Sequence, residues 1–395
     1  MAEGERKMKI AVYAICRDER KFVERWMESM KEADAIVCLD TGSRDGTPDA
    51  LRSLGAKVET KRYAAWNTMA DYRRIANAGK ETPWRFDVAR NDSIDLAMRL
   101  VTDADILVCT DLDEVLLPGW REKLERAWVN YARAHGGVQP TTAQYEYVWD
   151  FNADGSDGTR FLYEKIHAAK CGARWTHPVH EILDYGEAEK RMVLVEGMRL
   201  EHHADPTKSR GQYLNLLELS VAEDPADDRN AHYLGREYMF RRRWDDAIKT
   251  LKRHLALPRA TWRAERAASM RFIARCFSEK GDSLRQEIWL RRAMQEEPGQ
   301  REAALELAEL MYARRDYPAL LRACEACLAV TERRPSYLTK AECWGYRPYD
   351  LYSIALWYTG KRTEAVDANR RAIELAPDCV RLRENDDLMR RMMAG

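Results

Sequence analysis

What this sequence lacks narrows it first. No apolar run approaches the roughly 20 residues that a membrane span needs. The opening residues, MAEGERKMK, are charged and carry no apolar segment, so no secretory leader is expected either. Net charge is absent too: 65 Lys and Arg balance 65 Asp and Glu, so bulk charge selects no partner. Paired cysteines are missing. The nine cysteines are scattered and odd in number, and Cys16, Cys38 and Cys109 fall inside apolar runs, as small core residues of a reducing compartment do. Cys324 and Cys327 form a lone CxxC in an alanine-rich stretch, with no second pair to complete a zinc or redox centre, so helix packing explains them. The expected location is cytoplasmic.

What is present is enough for two cores. A chain of 395 residues with 45% hydrophobic content exceeds one ordinary core and is too apolar for wholesale disorder. In the first half, strand and helix patterns alternate. KIAVYAIC (9–16) reads as a buried strand, and a helical stripe of Phe22, Val23, Trp26, Met27 and Met30 follows it. AIVCLD (35–40) is a second strand, closed by the turn TGSRDGT, where Gly42 and Gly46 supply conformational freedom. A helix over 48–54, a third strand KVETKRY (57–63) and a fourth, ADILVCTDLDEV (104–115), complete the pattern. Such alternation predicts a doubly wound parallel sheet, with ligands beyond the carboxyl ends of its strands. Those ends carry Asp40 in one case and Asp111, Asp113 and Glu114 in the other.

From about residue 230 the chain reads helix after helix, with no convincing strand. Four phrases recur, each an aromatic or apolar helix, a turn and a second helix with a central Ala. Their aligned positions are Tyr238, Cys276, Met311 and Trp357, with an insertion around 334–348. These units resemble tetratricopeptide repeats, which stack because one helix pair cannot bury its own face. Their aromatic positions are expected to be core.

The chemistry begins with the acids that end the fourth strand. Two carboxylates separated by one residue at a strand end project to the same side and can hold Mg²⁺ or Mn²⁺, which neutralises a diphosphate. YAICRDERKFVERWMESM, AIVCLDTGSRDGT, FDVARNDSIDLA and ADILVCTDLDEVLLPGW then occur in the order seen in family 2 glycosyltransferases of the GT-A fold. The resemblance covers roughly the first half of the chain, and its architecture is similar to bacterial and phage peptide- or DNA-modifying glycosyltransferases with C-terminal tetratricopeptide repeats.

The resemblance implies an α/β GT-A (Rossmann-like nucleotide-sugar) domain over 1–205, a connecting helix over 206–229 and an all-α repeat solenoid over 230–395. It implies that Asp40 recognises the donor base, usually uridine, so that the donor is a UDP-sugar. Glu19 lies near the ribose and base, with Asp18 where relatives often have Asn. Arg90 and Asn91 lie beside the donor phosphates. Asp111 and Asp113 form the metal motif, with Asp113 preferred as the direct ligand. RWTHPVHEIL (174–183) resembles the acceptor-side segment of related transferases. An inverting transfer needs a base to take the acceptor proton; Glu181 is the first choice, with His180 and Asp150 in reserve. A Glu181 that only pairs with a neighbouring Arg is the structural alternative. In RLEHHADP, relatives carry a His that suits a third metal ligand, and register favours His202 over His203. His167 and His177 carry no readable signal.

The neutral total conceals segregation. Between Arg229 and Arg275 thirteen Lys or Arg face only Glu237, Asp245, Asp246 and Glu265. A polyanion would be drawn to such a face, and arginine suits bidentate phosphate contact; docking onto an acidic transferase domain would use the same charges. The expected function is a metal-dependent, inverting transfer of a sugar to a macromolecular acceptor, leaning to a hydroxylated base in DNA held through Arg236, Arg241, Arg242, Arg243 and Arg253. A peptide or protein side chain is the alternative acceptor, and a non-catalytic repeat scaffold the alternative class. A nucleotidyltransferase is disfavoured, since YAICRDER stands where its glycine-rich loop would be. No membrane partner is expected, and a homo-oligomer is admitted.

Overall fold

In a computed structural model the chain is described at residues 7–152, 154–206, 211–334 and 336–394. The first six residues of the charged opening and residues 207–210 of the expected connector lie outside the described residues. The chain divides into two compact units, Met1–Ser220 and Val221–Gly395.

The first unit opens with β1 (Ile10–Cys16), buried at every position, then α1 (Val23–Met30), whose Val23, Trp26, Met27 and Met30 are buried. β2 (Ala35–Asp40), α2 (Thr47–Ser53) and β3 (Lys57–Thr60) follow, then α3 (Met69–Ala78) and α4 (Phe86–Leu100). β4 (Ile106–Cys109) stops at a turn, and β5 (Glu114–Leu116) leaves it. The acids therefore occupy the turn and the start of β5 rather than the end of one long strand. After α5 (Trp120–Ala134) come β6 (Thr142–Val148), β7 (Arg160–Ala168), the hairpin strands β8 (Arg174–Thr176) and β9 (Ile182–Asp184), and β10 (Met192–His202). The eight-stranded sheet runs β3-β2-β1-β4-β7-β6-β10-β5.

Its first four strands are parallel, as expected, but the sheet is mixed. β7 is antiparallel to β4 and β6, and β5 is antiparallel to β10. The physical reason is β7, which follows β6 directly with no helix between them and so runs back against it and against β4. One sheet face packs on Trp26, Trp120 and Trp128, the other on α4 with Trp175. A groove of about 1270 Å³ lined by Met8, Asp105, Trp128 and Arg191 opens at the amino ends of β1 and β4, away from the acids.

α6 (Tyr213–Glu223) spans the boundary between the units. The regular structure of the second unit's described residues is helical: α7 (Asp228–Phe240) with α8 (Trp244–Ala256), α9 (Arg263–Glu279) with α10 (Ser283–Glu296), α11 (Glu302–Ala313) with α12 (Tyr317–Leu328), α13 (Arg347–Tyr358) with α14 (Arg362–Leu375), then α15 (Val380–Ala394). The first three pairs and α13 share one apolar core rich in alanine, leucine and cysteine, and α14 packs with Leu356 and Met389 in a second cluster. Gly235 lets α7 approach α8 closely, since a Cβ there would meet Leu251 Cγ at 2.5 Å. All nine cysteines are free; Cys324 and Cys327 are buried on α12, where burial pushes the Cys327 thiol up to about 11. Among the described residues no helix is long and apolar enough to cross a membrane.

Candidate active site at the carboxyl ends of the parallel strands

The sequence-derived residues gather where β1, β2 and β4 end. Past β1 the chain turns sharply at Asp18, whose φ of 52° is left-handed. Asp18 accepts from the Arg44 amide at 2.7 Å, and its own amide donates to Ser43 Oγ at 2.9 Å. Glu19 is buried, with its amide donating to Thr47 Oγ1 at 2.9 Å. Asp40 is buried at the end of β2 and accepts from the amides of Gly42 (3.2 Å) and Ser43 (3.1 Å). These acids organise the TGSRDGT turn from below.

At the end of β4 stands a charge cluster. Asp111 accepts from Arg90 Nη2 at 2.9 Å and from Lys165 Nζ at 2.8 Å. Burial alone would raise its pKa, but the two cations outweigh burial and hold the carboxyl well below the usual carboxylate range. Lys165, on β7, also donates to Glu114 Oε1 at 2.8 Å, an oxygen shared with the Tyr147 hydroxyl at 2.7 Å. Burial pushes the Glu114 carboxyl up, with Lys165 opposing and Asp111 adding to the rise. Glu114 Oε2 accepts the Asp111 amide at 2.8 Å, which fixes the turn.

Arg90 also donates through Nε to Glu181 Oε1 at 2.6 Å, while its guanidinium lies 5.3 Å from the Trp175 ring centre. Glu181 thus makes the contact of the structural alternative, the arginine pair. Asn91, the neighbour of Arg90 on α4, spends its amide on β8: Nδ2 donates to the Trp175 carbonyl at 2.8 Å and Oδ1 accepts the Trp175 amide at 2.9 Å. The Phe86 amide donates to the Pro178 carbonyl at 3.0 Å. His180, left-handed at φ 55°, sets its ring edge against Tyr213. Asp150 serves its own turn by accepting from Thr159.

The two DxD carboxylates diverge. Asp113 turns from Asp111 toward β10, where His202 Nε2 lies 3.7 Å from its Oδ2. His202 Nδ1 is held at 3.0 Å by the Trp149 carbonyl and the ring stacks on Trp149 at 4.5 Å. His203 points elsewhere, to Glu201 at 3.3 Å. Of the sequence reading's set Asp111, Asp113 and His202, the structure brings Asp113 and His202 face to face. Asp111 is neutralised by its two cations, and the facing pair is Asp113 with His202. That mixed oxygen and nitrogen pair, with Nδ1 fixed by a carbonyl, fits a divalent cation such as Mn²⁺.

Lys165 was missed from the sequence. It is the lysine of RFLYEKIHA, and the apolar residues beside it, with the alternation of a half-buried strand, are the only local sign that it points inward. On the second unit, much of the basic run is internally paired: Arg241 with Glu237, Arg243 with Asp246, Arg259 with Asp224, Arg266 with Glu296 and Arg271 with Glu306. Arg253 binds the Pro225 carbonyl, Arg236 lies over the Tyr233 ring, and Arg242 sits in the turn after α7.

No family model matches the chain. Over 118 residues it is 27% identical to the lipopolysaccharide core biosynthesis glycosyltransferase LpsC of Rhizobium meliloti, covering 29% of this chain and 42% of that protein. Over 125 residues it is 30% identical to the TPR repeat-containing protein Synpcc7942_0270 of Synechococcus elongatus, covering 30% of this chain and 24% of that one. The chain thus spans less than half the length of either relative. Among solved structures, MamA 41-end of Desulfovibrio magneticus RS-1 matches at 14% identity and TM-score 0.34 over 42% of this chain and 85% of that one. YrrB, a TPR protein with an unusual peptide-binding site, matches at 14% identity and TM-score 0.33 over 45% of this chain and 82% of that one.

Proposed function

We propose that this protein transfers a sugar from a nucleotide-sugar donor to a macromolecular acceptor, with the chemistry in the first unit. The observation that carries this reading is the pairing of Asp113 with His202 beside the Arg90–Asp111–Lys165 cluster, at the carboxyl ends of parallel strands. The partial likeness to a glycosyltransferase supports the same class. The fold of the first unit is read as GT-A, with a UDP-sugar donor at the carboxyl ends of β1, β2 and β4 beside the TGSRDGT turn.

In this reading Asp113 and His202 hold a Mn²⁺ or Mg²⁺ ion, which when bound neutralises the donor diphosphate. Asp40 and Glu19 shape the base and ribose pocket through the turn they hold. Arg90 and Lys165 supply positive charge that Asp111 and Glu114 keep in place without donor, so no reorganisation is required when phosphate charge arrives. Glu181 takes the acceptor proton in an inverting displacement, with Arg90 fixing its carboxylate at the sugar-facing end of α4.

For the acceptor, the pairing of five arginines between Arg241 and Arg271 favours a polypeptide over a nucleic acid, because it occupies those side chains and brings in three further acids, Asp224, Glu296 and Glu306, against the basic run. The function is tested by incubating the protein with a panel of nucleotide sugars and candidate peptides and oligonucleotides, and weighing the products by mass spectrometry. Mass gain on a peptide is the expected result. Mass gain on DNA, with binding that falls steeply as salt rises, would restore the hydroxylated-base reading. No glycosylated product and no donor hydrolysis across the panel would leave the chain a repeat scaffold.

A further inference from the structure

A second polar cluster lies in the helical unit, far along the sequence from the acids of β4 and β5. His232 on α7, His254 near the end of α8, and Glu265 and Ser269 on α9 are all buried. Glu265 and Ser269 are four residues apart and so share one helix face. The core that packs the helix pairs is largely apolar, with alanine, leucine and cysteine prominent. Burying two imidazoles and a carboxylate in their place is costly unless each polar atom finds a partner.

Only part of that need is met by hydrogen bonds. Ser269 Oγ lies 2.7 Å from His232 Nδ1 and 2.9 Å from His254 Nδ1. A hydroxyl has one proton, so it accepts from one ring and donates to the other. The Tyr337 hydroxyl donates to Glu265 Oε2 at 2.8 Å. The Nε2 atom of His254 makes no hydrogen bond, although its ring is wholly buried, and it faces Glu265 Oε1 at 3.5 Å. Asp228, half-buried in the first turn of α7, brings a second carboxylate. One ligand atom each from Asp228, His254 and Glu265 lies within 4.8 Å of the other two, the only such grouping of three or more His, Cys, Asp or Glu among the described residues.

We propose that Asp228, His254 and Glu265 form a binding site for a divalent transition metal, Zn²⁺ by donor class, which ties α7, α8 and α9 together. One imidazole with two carboxylates is a borderline donor set that suits Zn²⁺, whereas Mg²⁺ and Ca²⁺ prefer oxygen alone. Ser269 is the positioning residue. With metal on His254 Nε2, Nδ1–H donates to Ser269 Oγ, and Ser269 donates on to His232 Nδ1. Tyr337 holds Glu265 in the same manner, as outer partners of metal ligands do. Asp228 provides the route in from solvent, and binding there stabilises the folded unit.

The test uses the full chain carrying Asp113→Ala and His202→Ala, so that the first unit's pair cannot contribute. After chelator treatment and dialysis against micromolar Zn²⁺, elemental analysis should find one zinc per chain, with a rise in thermal midpoint. Co²⁺ in its place should give a visible d–d spectrum. Added His254→Asn or Asp228→Asn should remove the bound metal and the thermal rise. Asp228 is half-exposed, so its variant remains informative if the His254 variant fails to fold. Ser269→Ala should weaken Zn²⁺ affinity roughly 10–100-fold. Absence of retained zinc in the folded protein, or retention undiminished by Asp228→Asn, overturns the site.

Discussion

Asp111 and Lys165 are 54 residues apart in sequence and 2.8 Å apart in the fold. The contact joins the turn after β4 to β7, and through Glu114 it reaches β5 as well. Lys165 therefore joins two of the turn's acids, Asp111 and Glu114, and shares Asp111 with Arg90.

Removing that lysine is the first prediction. Lys165→Met leaves Glu114 buried beside Asp111 with no cation of its own. A broken buried pair costs about 3–5 kcal/mol, and urea unfolding should show a loss of that order. Adding Glu114→Gln removes the stranded charge and should return part of it. A Lys165→Met protein as stable as the parent would mean that solvent, not lysine, balances these acids.

The second concerns the cation held by Asp113 and His202. Asp113→Ala and His202→Ala should each abolish transfer while circular dichroism stays unchanged, and chelation should do the same reversibly. Titration with Mn²⁺ followed by electron paramagnetic resonance reports the ion directly. Undiminished turnover in chelator would remove metal from the mechanism.

Glu181→Gln separates the two roles of that residue. Glutamine still offers Arg90 an oxygen, so a residue that only positions Arg90 tolerates the change. A proton acceptor does not, and the transfer rate should then fall by about 10²-fold or more with donor affinity retained. Calorimetry with the nucleoside diphosphate, set beside single-turnover rates, distinguishes the outcomes.

A pH effect on stability follows from His167. Its buried neutral ring pairs with the Tyr13 hydroxyl at 3.1 Å and the Ala168 carbonyl at 3.0 Å. Burial pushes its pKa down from 6.5 to about 4. The unfolded chain takes up this proton as pH drops below 6.5, while the fold resists until about 4. The contribution is therefore complete above pH 6.5 and lost on acidification toward pH 4, amounting to about 3 kcal/mol. Urea midpoints across that window should fall, and less so in His167→Gln.

The parts of the fold legible in sequence were those written in contiguous apolar runs. β1, β2 and β4 are such runs, and the repeated helix phrases announce the second unit. β6, β7 and β10 were not legible, because strands with one half-exposed face scatter their apolar residues among Glu, Lys and Arg. The site followed the same rule. Asp40, Asp111 and Asp113 stand beside readable strands, whereas the pairing of Asp113 with His202 depends on β10 lying next to β5, a register that no local pattern encodes. Lys165 and the His254 cluster were invisible for a related reason. A buried charge is identified by what surrounds it, and those surroundings come from distant segments.

The anchoring of β8 and β9 has a consequence for how this protein can change. Phe86, Arg90 and Asn91 of one helix grip Pro178, Glu181 and Trp175 of one short hairpin. A segment pinned three times within seven residues has no slack, so its length is locked to the pitch of α4. Diversification toward new acceptors must come through exchange of side chains between the pins, such as His177 and His180, and not through insertion. In hydrogen exchange, residues 174–184 and the amino half of α4 should lose protection together, as one cooperative block.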